Sequence, residues 1–242
     1  MEKKDLELQN YKNKKKTLAV FLARGQSKRI KNKNIINFFG KPMIAHVIEI
    51  AKKSKLFSRV VVTTDSKKIV RISKKYGAEA IIRDKKLSND YTTSTEAVID
   101  CIKKISSENV KYHCCIYPTA ILTKPKNLAK SFRKIKKLNA DHLIAITDFE
   151  YPPERSFKII GKNWINFSNQ KYKNMRSQDI PKVYHDTGSY YFYKTSKLLK
   201  KGNRLSPKTT YTYIDRINSV DINDLSDLKI AKIKFKFLTK NG

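Results

Sequence analysis

Thr17-Leu-Ala-Val-Phe-Leu-Ala23 is an uncharged run of seven residues, six of them apolar. It shows no polar alternation, and it is too short to cross a bilayer. Such a run fits a strand buried on both faces of a parallel sheet. Working outward, similar runs recur at Arg59-Val-Val-Val-Thr-Thr64, Glu79 to Arg83, Tyr112 to Tyr117 (stopped by Pro118) and Asp141 to Thr147. Between them lie helical patterns. Pro42 opens one that runs to about Ser54, with Met43, Val47 and Ile50 at helical spacing. Lys67 to Tyr76 ends at Gly77, Ser94 to Ser106 is amphipathic, and a fourth helix spans about Lys126 to Leu138. Alternating strands and helices predict a layered α/β fold with a mostly parallel sheet.

After residue 150 the pattern changes. Ser156–Ile160, Trp164–Phe167 and Ser189–Tyr193 are short β-like pieces, read as a small β-rich insert over about 150–194. Tyr211–Ile214 and Ser219–Ile222 are expected to return strands to the sheet, and Leu225 to Phe235 forms a last helix. Residues 17–237 read as a single domain, preceded by a charged, flexible lead-in over 1–16.

The 242 residues carry 53 Lys plus Arg against 21 Asp plus Glu, a net charge of +32. The lead-in holds six Lys and three acids, so +29 lies in the body, spread out rather than held in an arm. Only ten of the cations are Arg, the residue that forks phosphates and reads bases. This distribution favours solvated surface lysines over a nucleic-acid footprint, and either way the protein attracts anionic small molecules. Cys101, Cys114 and Cys115 have no C-x-x-C spacing, which argues against structural zinc or a disulfide framework. The adjacent pair on a strand points to opposite faces. The lead-in is too polar for a signal peptide, so the reading is cytoplasmic with no membrane contact.

Leu22-Ala-Arg-Gly-Gln-Ser-Lys-Arg-Ile-Lys-Asn-Lys-Asn34 follows the first strand, where open α/β sheets bind ligands. It sets Arg24, Lys28, Arg29, Lys31 and Lys33 within ten residues, and Gly25 permits a close backbone approach. Such a loop suits the roughly four negative charges of a nucleoside triphosphate, although a solvated basic loop would read the same way. It is neither a Walker loop nor G-x-G-x-x-G.

The order A-R-G-x-S-K-R-I-x-x-K-N after a buried strand resembles the sugar-acid cytidylyltransferases, the family of CMP-sialic acid synthetases. Further segments share the resemblance: Gly40-Lys-Pro-Met-Ile44, Val60-Val-Val-Thr-Thr-Asp65, Arg83 with Leu87-Ser-Asn-Asp90, Tyr117-Pro-Thr119 and Ser219-Val-Asp-Ile-Asn223. Together they cover roughly residues 17–235. Arg176-Ser-Gln-Asp-Ile-Pro181, Tyr184-His-Asp-Thr-Gly188 and Cys114-Cys115-Ile116-Tyr117 are similar to the pseudaminic acid branch.

The resemblance implies a three-layer Rossmann-like nucleotidyltransferase fold in which the insert serves dimerisation and substrate binding. It also implies a homodimer that transfers CMP from CTP to the anomeric hydroxyl of pseudaminic acid and releases pyrophosphate. Ala23, Arg24, Ser27, Lys28, Lys33, Asn34, Arg83 and Ser94 would hold the nucleotide, with Arg24, Lys33 and Asp221 catalytic. Tyr117, Arg176, Gln178, Asp179, His185 and Asp186 would meet the sugar, Arg176 by forking its carboxylate. His185 is expected to position substrate, to act as a general base or to make a structural hydrogen bond, with positioning favoured over the base, and Ser94 serves either as a ligand hydroxyl or as a helix cap. Asp65 is expected to shape a strand-end turn or the binding pocket rather than to perform chemistry.

Mg2+ would be held by Asp221, a hard oxygen ligand, and by Asn223, which stands where the family's D-I-D has its second acid. An amide oxygen still ligates magnesium, with one charge fewer, and Asn223→Asp is then expected to strengthen magnesium dependence. The same chemistry on N-acetylneuraminic, legionaminic or 3-deoxy-octulosonic acid is the nearest alternative. A basic nucleic-acid-binding protein and an inactive relative acting as a binding module are alternatives of another class.

Overall fold

The computed structural model describes residues 17–89, 91–201 and 206–240. The expected lead-in over 1–16 and Asp90 lie outside the described residues. Strand β1 (Thr17–Leu22) is a buried interior strand of the sheet. It pairs in parallel with β4 (Arg59–Thr64), Val20 opposite Val61, and with β6 (Tyr112–Ile116), Val20 opposite Cys115. Two short strands, β2 (Asn37–Phe38) and β3 (Lys41–Pro42), form a separate hairpin beyond β1. With β5 (Glu79–Ile82), β7 (His142–Asp148), β10 (Tyr184–Lys194) and β11 (Thr209–Tyr213), the main sheet runs β11-β7-β10-β6-β1-β4-β5. Every pairing in it is parallel except those of β10, which lies antiparallel between β6 and β7.

Strand periodicity divides the core in two. Ala19 and Phe21 face a large cluster with α1 (Met43–Lys53), α2 (Lys67–Lys75), α4 (Pro125–Lys137) and α6 (Leu225–Lys240). Leu18 and Val20 face a smaller cluster with α3 (Ser94–Lys104) and α5 (Thr195–Lys201). Helices therefore cover both faces, which is why the strand sequences are continuously apolar. Cys114 lies in the first cluster and Cys115 in the second, as period-two geometry requires. Burial raises the Cys101 thiol to about 12 and Cys114 well above its ordinary range, leaving both unreactive.

Several sequence expectations change. Ser189–Tyr193 belongs to long strand β10 of the central sheet, not to the insert. The β pieces preceding it form a two-stranded hairpin, β8 (Phe157–Ile160) and β9 (Trp164–Phe167), almost wholly exposed. Ser219–Ile222 is no strand: it follows a 3-10 turn at Arg216–Asn218 and runs irregularly, with Ile222 plugged into the core. Pro42 does not open the first helix but sits one residue before it, closing the β2–β3 hairpin. Helix α5 has too few residues to show a period, and the sequence reading missed it.

Candidate active site

A cavity of about 590 Å³ opens at the C-terminal ends of the parallel strands. The basic loop after β1 forms one wall, and Arg83 after β5 enters from the side. The first turn of α3 stands opposite, and Tyr117 to Thr119 after β6 complete the floor. Arg24, Lys28, Arg29, Lys33 and Arg83 face this space, and among the described residues no Asp or Glu lines it. Like charges gathered around one cavity repel one another. A polyanion matches five of them.

Local contacts shape the loop. The Gly25 N–H donates to Asp65 Oδ1 at 2.6 Å, and a Cβ at Gly25 would lie 2.8 Å from the Ser66 Cβ. Only glycine allows that approach, and Asp65 shapes the turn as expected. Buried Asn34 donates from Nδ2 to the Arg24 carbonyl at 2.8 Å, closing the loop on itself. Arg24 Nη1 reaches the Asn89 carbonyl at 3.0 Å, which ties the loop to the opposite wall. Lys33 is partly buried, and its ammonium donates to the Ile222 carbonyl at 2.6 Å. Burial lowers its pKa, Asp221 opposes that shift, and Arg29 reinforces it.

Arg83 is 3% exposed, and its Nε and Nη2 have no hydrogen-bond partner among the described residues. Burial lowers its pKa, with Asp65 pulling the other way. Buried guanidinium donors without partners are costly, and Arg83 is one of the residues that line the cavity. Thr93, not Ser94, caps α3: its hydroxyl and Glu96 form a capping box. The Ser94 hydroxyl is thereby released into the cavity, where it bonds the Tyr117 phenol.

The other sequence candidates lie at different distances from this space. Ala23 is buried at the strand end, where its N–H donates to the Thr63 carbonyl. Asn223 lines the cavity, its Oδ1 accepting from Arg29 and its Nδ2 donating to Asp221 Oδ2, both at 2.9 Å. The two side chains at 221 and 223 therefore share one side, but as placed the Asn223 oxygen is engaged by a cation. Asp221 is exposed beside the cavity, and the Gly188 backbone lies against its carboxylate.

Arg176, Gln178 and Asp179 are exposed on a 3-10 turn of the insert and do not line the cavity; Arg176 pairs with Asp179 at 2.9 Å. His185 packs on Phe149 with ring centres 4.7 Å apart, and its Nδ1 lies 2.9 Å from the Asp186 carbonyl. Asp186 takes the Gly188 N–H and the Tyr191 hydroxyl, and the Tyr191 ring meets Tyr117 edge-on.

Sequence reasoning counted Arg29 only as one of the loop's cations, and it gave no individual role to Asn89, Thr92 or Thr93. Asn89 Oδ1 accepts from the N–H groups of Tyr91 and Thr92, building that wall as an Asx turn. The cluster Asn89, Thr92 and Thr93 was the available signal. Among the described residues no group of three His, Cys, Asp or Glu stands ready for a metal, and no helix is long and apolar enough to cross a membrane.

Residues 18–234 match the family model of the cytidylyltransferases. The chain belongs to that family. It is 39% identical over 224 residues to a pseudaminic acid cytidylyltransferase of Campylobacter jejuni subsp. jejuni serotype O:23/36, covering 91% of this chain and 97% of that one. It is 30% identical to a CMP-N,N'-diacetyllegionaminic acid synthase of the serotype O:2 strain, over 93% of this chain and 96% of that one. The fold superposes on CMP:2-keto-3-deoxy-manno-octonic acid synthetase complexed with CTP, with a TM-score of 0.69 and 15% identity over 93% of this chain and 99% of that one. The cytidylyltransferase is a nucleotidyltransferase with a mostly parallel α/β sheet.

Proposed function

We propose that this cytidylyltransferase transfers CMP from CTP to the anomeric hydroxyl of pseudaminic acid. The single observation that carries the reading is the cavity: five cations, no lining carboxylate among the described residues, and the buried unpartnered donors of Arg83. The 39% identical pseudaminic acid cytidylyltransferase supports the choice of sugar over the legionaminic alternative at 30%.

In this reading the triphosphate lies along Arg24, Ser27, Lys28 and Lys33, and the cytidine lies toward Arg83 and Ser94. The anomeric oxygen bonds to the α-phosphorus as the bond to the bridging oxygen breaks, and pyrophosphate leaves. Lys33 and Arg24 neutralise charge as it moves to the leaving group, which is where fixed cations in a partly dry site contribute most. No covalent enzyme intermediate is needed. Mg2+ fits a donor set of one carboxylate, Asp221, completed by phosphate oxygens and water. When bound it supplies Lewis-acid charge stabilisation at the phosphates.

Arg176, Gln178 and Asp179 stand away from the cavity of their own chain, and the insert presents Trp164, Ile159 and Ile165 at 74%, 79% and 64% exposure. These observations support a homodimer in which one protomer's insert supplies sugar contacts to its partner. Arg176 would fork the sugar carboxylate, and His185 and Asp186 would order the adjoining strand.

Pyrophosphate release from CTP and magnesium with a panel of nine-carbon and eight-carbon sugar acids tests the reading. Pseudaminic acid is expected to give the highest kcat/KM. Folded protein that releases none with any acid would overturn the function, and a preference for another acid would overturn the substrate.

A further inference from the structure

Residues 221–223 meet the basic loop through a short polar chain. Arg29 Nη2 donates to Asn223 Oδ1, and Asn223 Nδ2 donates to Asp221 Oδ2, each at 2.9 Å. Lys33 Nζ joins the same segment at the Ile222 carbonyl. The amide orientation is fixed by its neighbours. Reversed, its nitrogen would face a guanidinium, donor against donor, and its oxygen a carboxylate, acceptor against acceptor. A carboxylate at 223 would keep the Arg29 bond but face Asp221 with like charge. Alanine would make neither bond.

We infer that Asn223 is a positioning residue: its amide holds the Arg29 guanidinium at the cavity wall in register with the Asp221 carboxylate. The inference rests on reading the cavity as the CTP site. A guanidinium carries five N–H donors and this bond uses one, so the tether leaves others for phosphate oxygens. A guanidinium already held in place loses less freedom when the triphosphate arrives. The Asn223 N–H is separately anchored on Asp227 Oδ2 at 2.7 Å, so a side-chain change leaves the local main chain in place. Residue 223 thus differs from the ligand role that the D-I-D resemblance implies, because its oxygen serves Arg29.

CTP affinity, measured by calorimetry without sugar acid at fixed magnesium, tests this in Asn223→Ala, Arg29→Gln and the double variant. Thermal unfolding establishes that each is folded. Each single change is expected to weaken CTP binding about threefold to tenfold, the range of one charge-assisted hydrogen bond at a solvent-facing site. The double variant is expected to bind within twofold of Arg29→Gln, since the asparagine acts through the arginine. Arg29→Lys is not expected to restore affinity, because an ammonium lacks the fork. Asn223→Ala with unchanged or tighter CTP binding, or single effects that multiply in the double variant, would overturn the inference alone. Wild-type protein that fails to bind CTP would overturn the nucleotide reading beneath it.

Discussion

Replacing Arg83 with Met separates a binding role from a structural one by opposite signs in two measurements. The Arg83 N–H donates to the Thr64 carbonyl at 2.8 Å, so the main chain holds its position whatever the side chain. Met refills the stem volume and deletes the fork. Without nucleotide, the native protein keeps Nε and Nη2 buried and unpartnered among the described residues. An unsatisfied buried donor costs about 1–3 kcal/mol, and the lost attraction to Asp65 and Asp100 offsets part of the relief. A net gain of about 1 kcal/mol is expected, or roughly 2–4 °C in Tm for a chain of this size. With CTP the sign reverses: one or two charge-assisted bonds are lost, weakening affinity about tenfold to a hundredfold. Thermal unfolding with and without CTP, with calorimetry for Kd, reads both. A variant that melts lower without nucleotide and binds CTP as tightly as the wild type would make Arg83 a structural residue and refute the reasoning.

Lys33→Ala is expected to lower kcat about 10²–10³-fold, the cost of removing one preorganised charge donor, as read by steady-state pyrophosphate release. Because burial lowers the Lys33 pKa, its charge is lost at a lower pH than an ordinary lysine's, so kcat should fall on the alkaline side and Lys33→Arg should flatten that limb. Gly188 has φ +62°, and a Cβ there would lie 3.3 Å from Asp221 Cγ; Gly188→Ala should cost about 1–2 kcal/mol in urea unfolding and also depress kcat by displacing Asp221. His113 is fully buried between Ser107 and Thr195, and burial lowers its pKa to about 4. The unfolded chain then binds the extra proton first: stability is intact above about pH 6.5 and falls by ~1.4 kcal/mol per unit toward pH 4. Urea unfolding across that range should show His113→Gln losing this slope, and parallel curves would contradict it.

The core of this molecule was legible because parallel strands covered on both faces must be apolar throughout. Thr17–Leu22, Arg59–Thr64 and Tyr112–Ile116 carry that mark, and their place inside the sheet rather than at its edges follows from it. The cation loop was legible too, since Arg24, Lys28 and Lys33 are local in sequence and face one cavity. What failed depended on distant partners. Ser189–Tyr193 looked like part of the insert because nothing local distinguishes an antiparallel strand closing the sheet from a hairpin outside it. Ser219–Ile222 alternates like a strand, but Ile222 is drawn into the core and its carbonyl goes to Lys33. Asn223 could be read only as a weakened acid until Arg29, far away in sequence, was seen to occupy its oxygen.

The most direct test is a crystal structure with CTP bound. The account predicts the triphosphate along Arg24, Lys28 and Lys33, Arg83 donating to the nucleotide, and Asp221 within a metal ion's reach of a phosphate. CTP bound elsewhere, with those side chains in solvent, would contradict it.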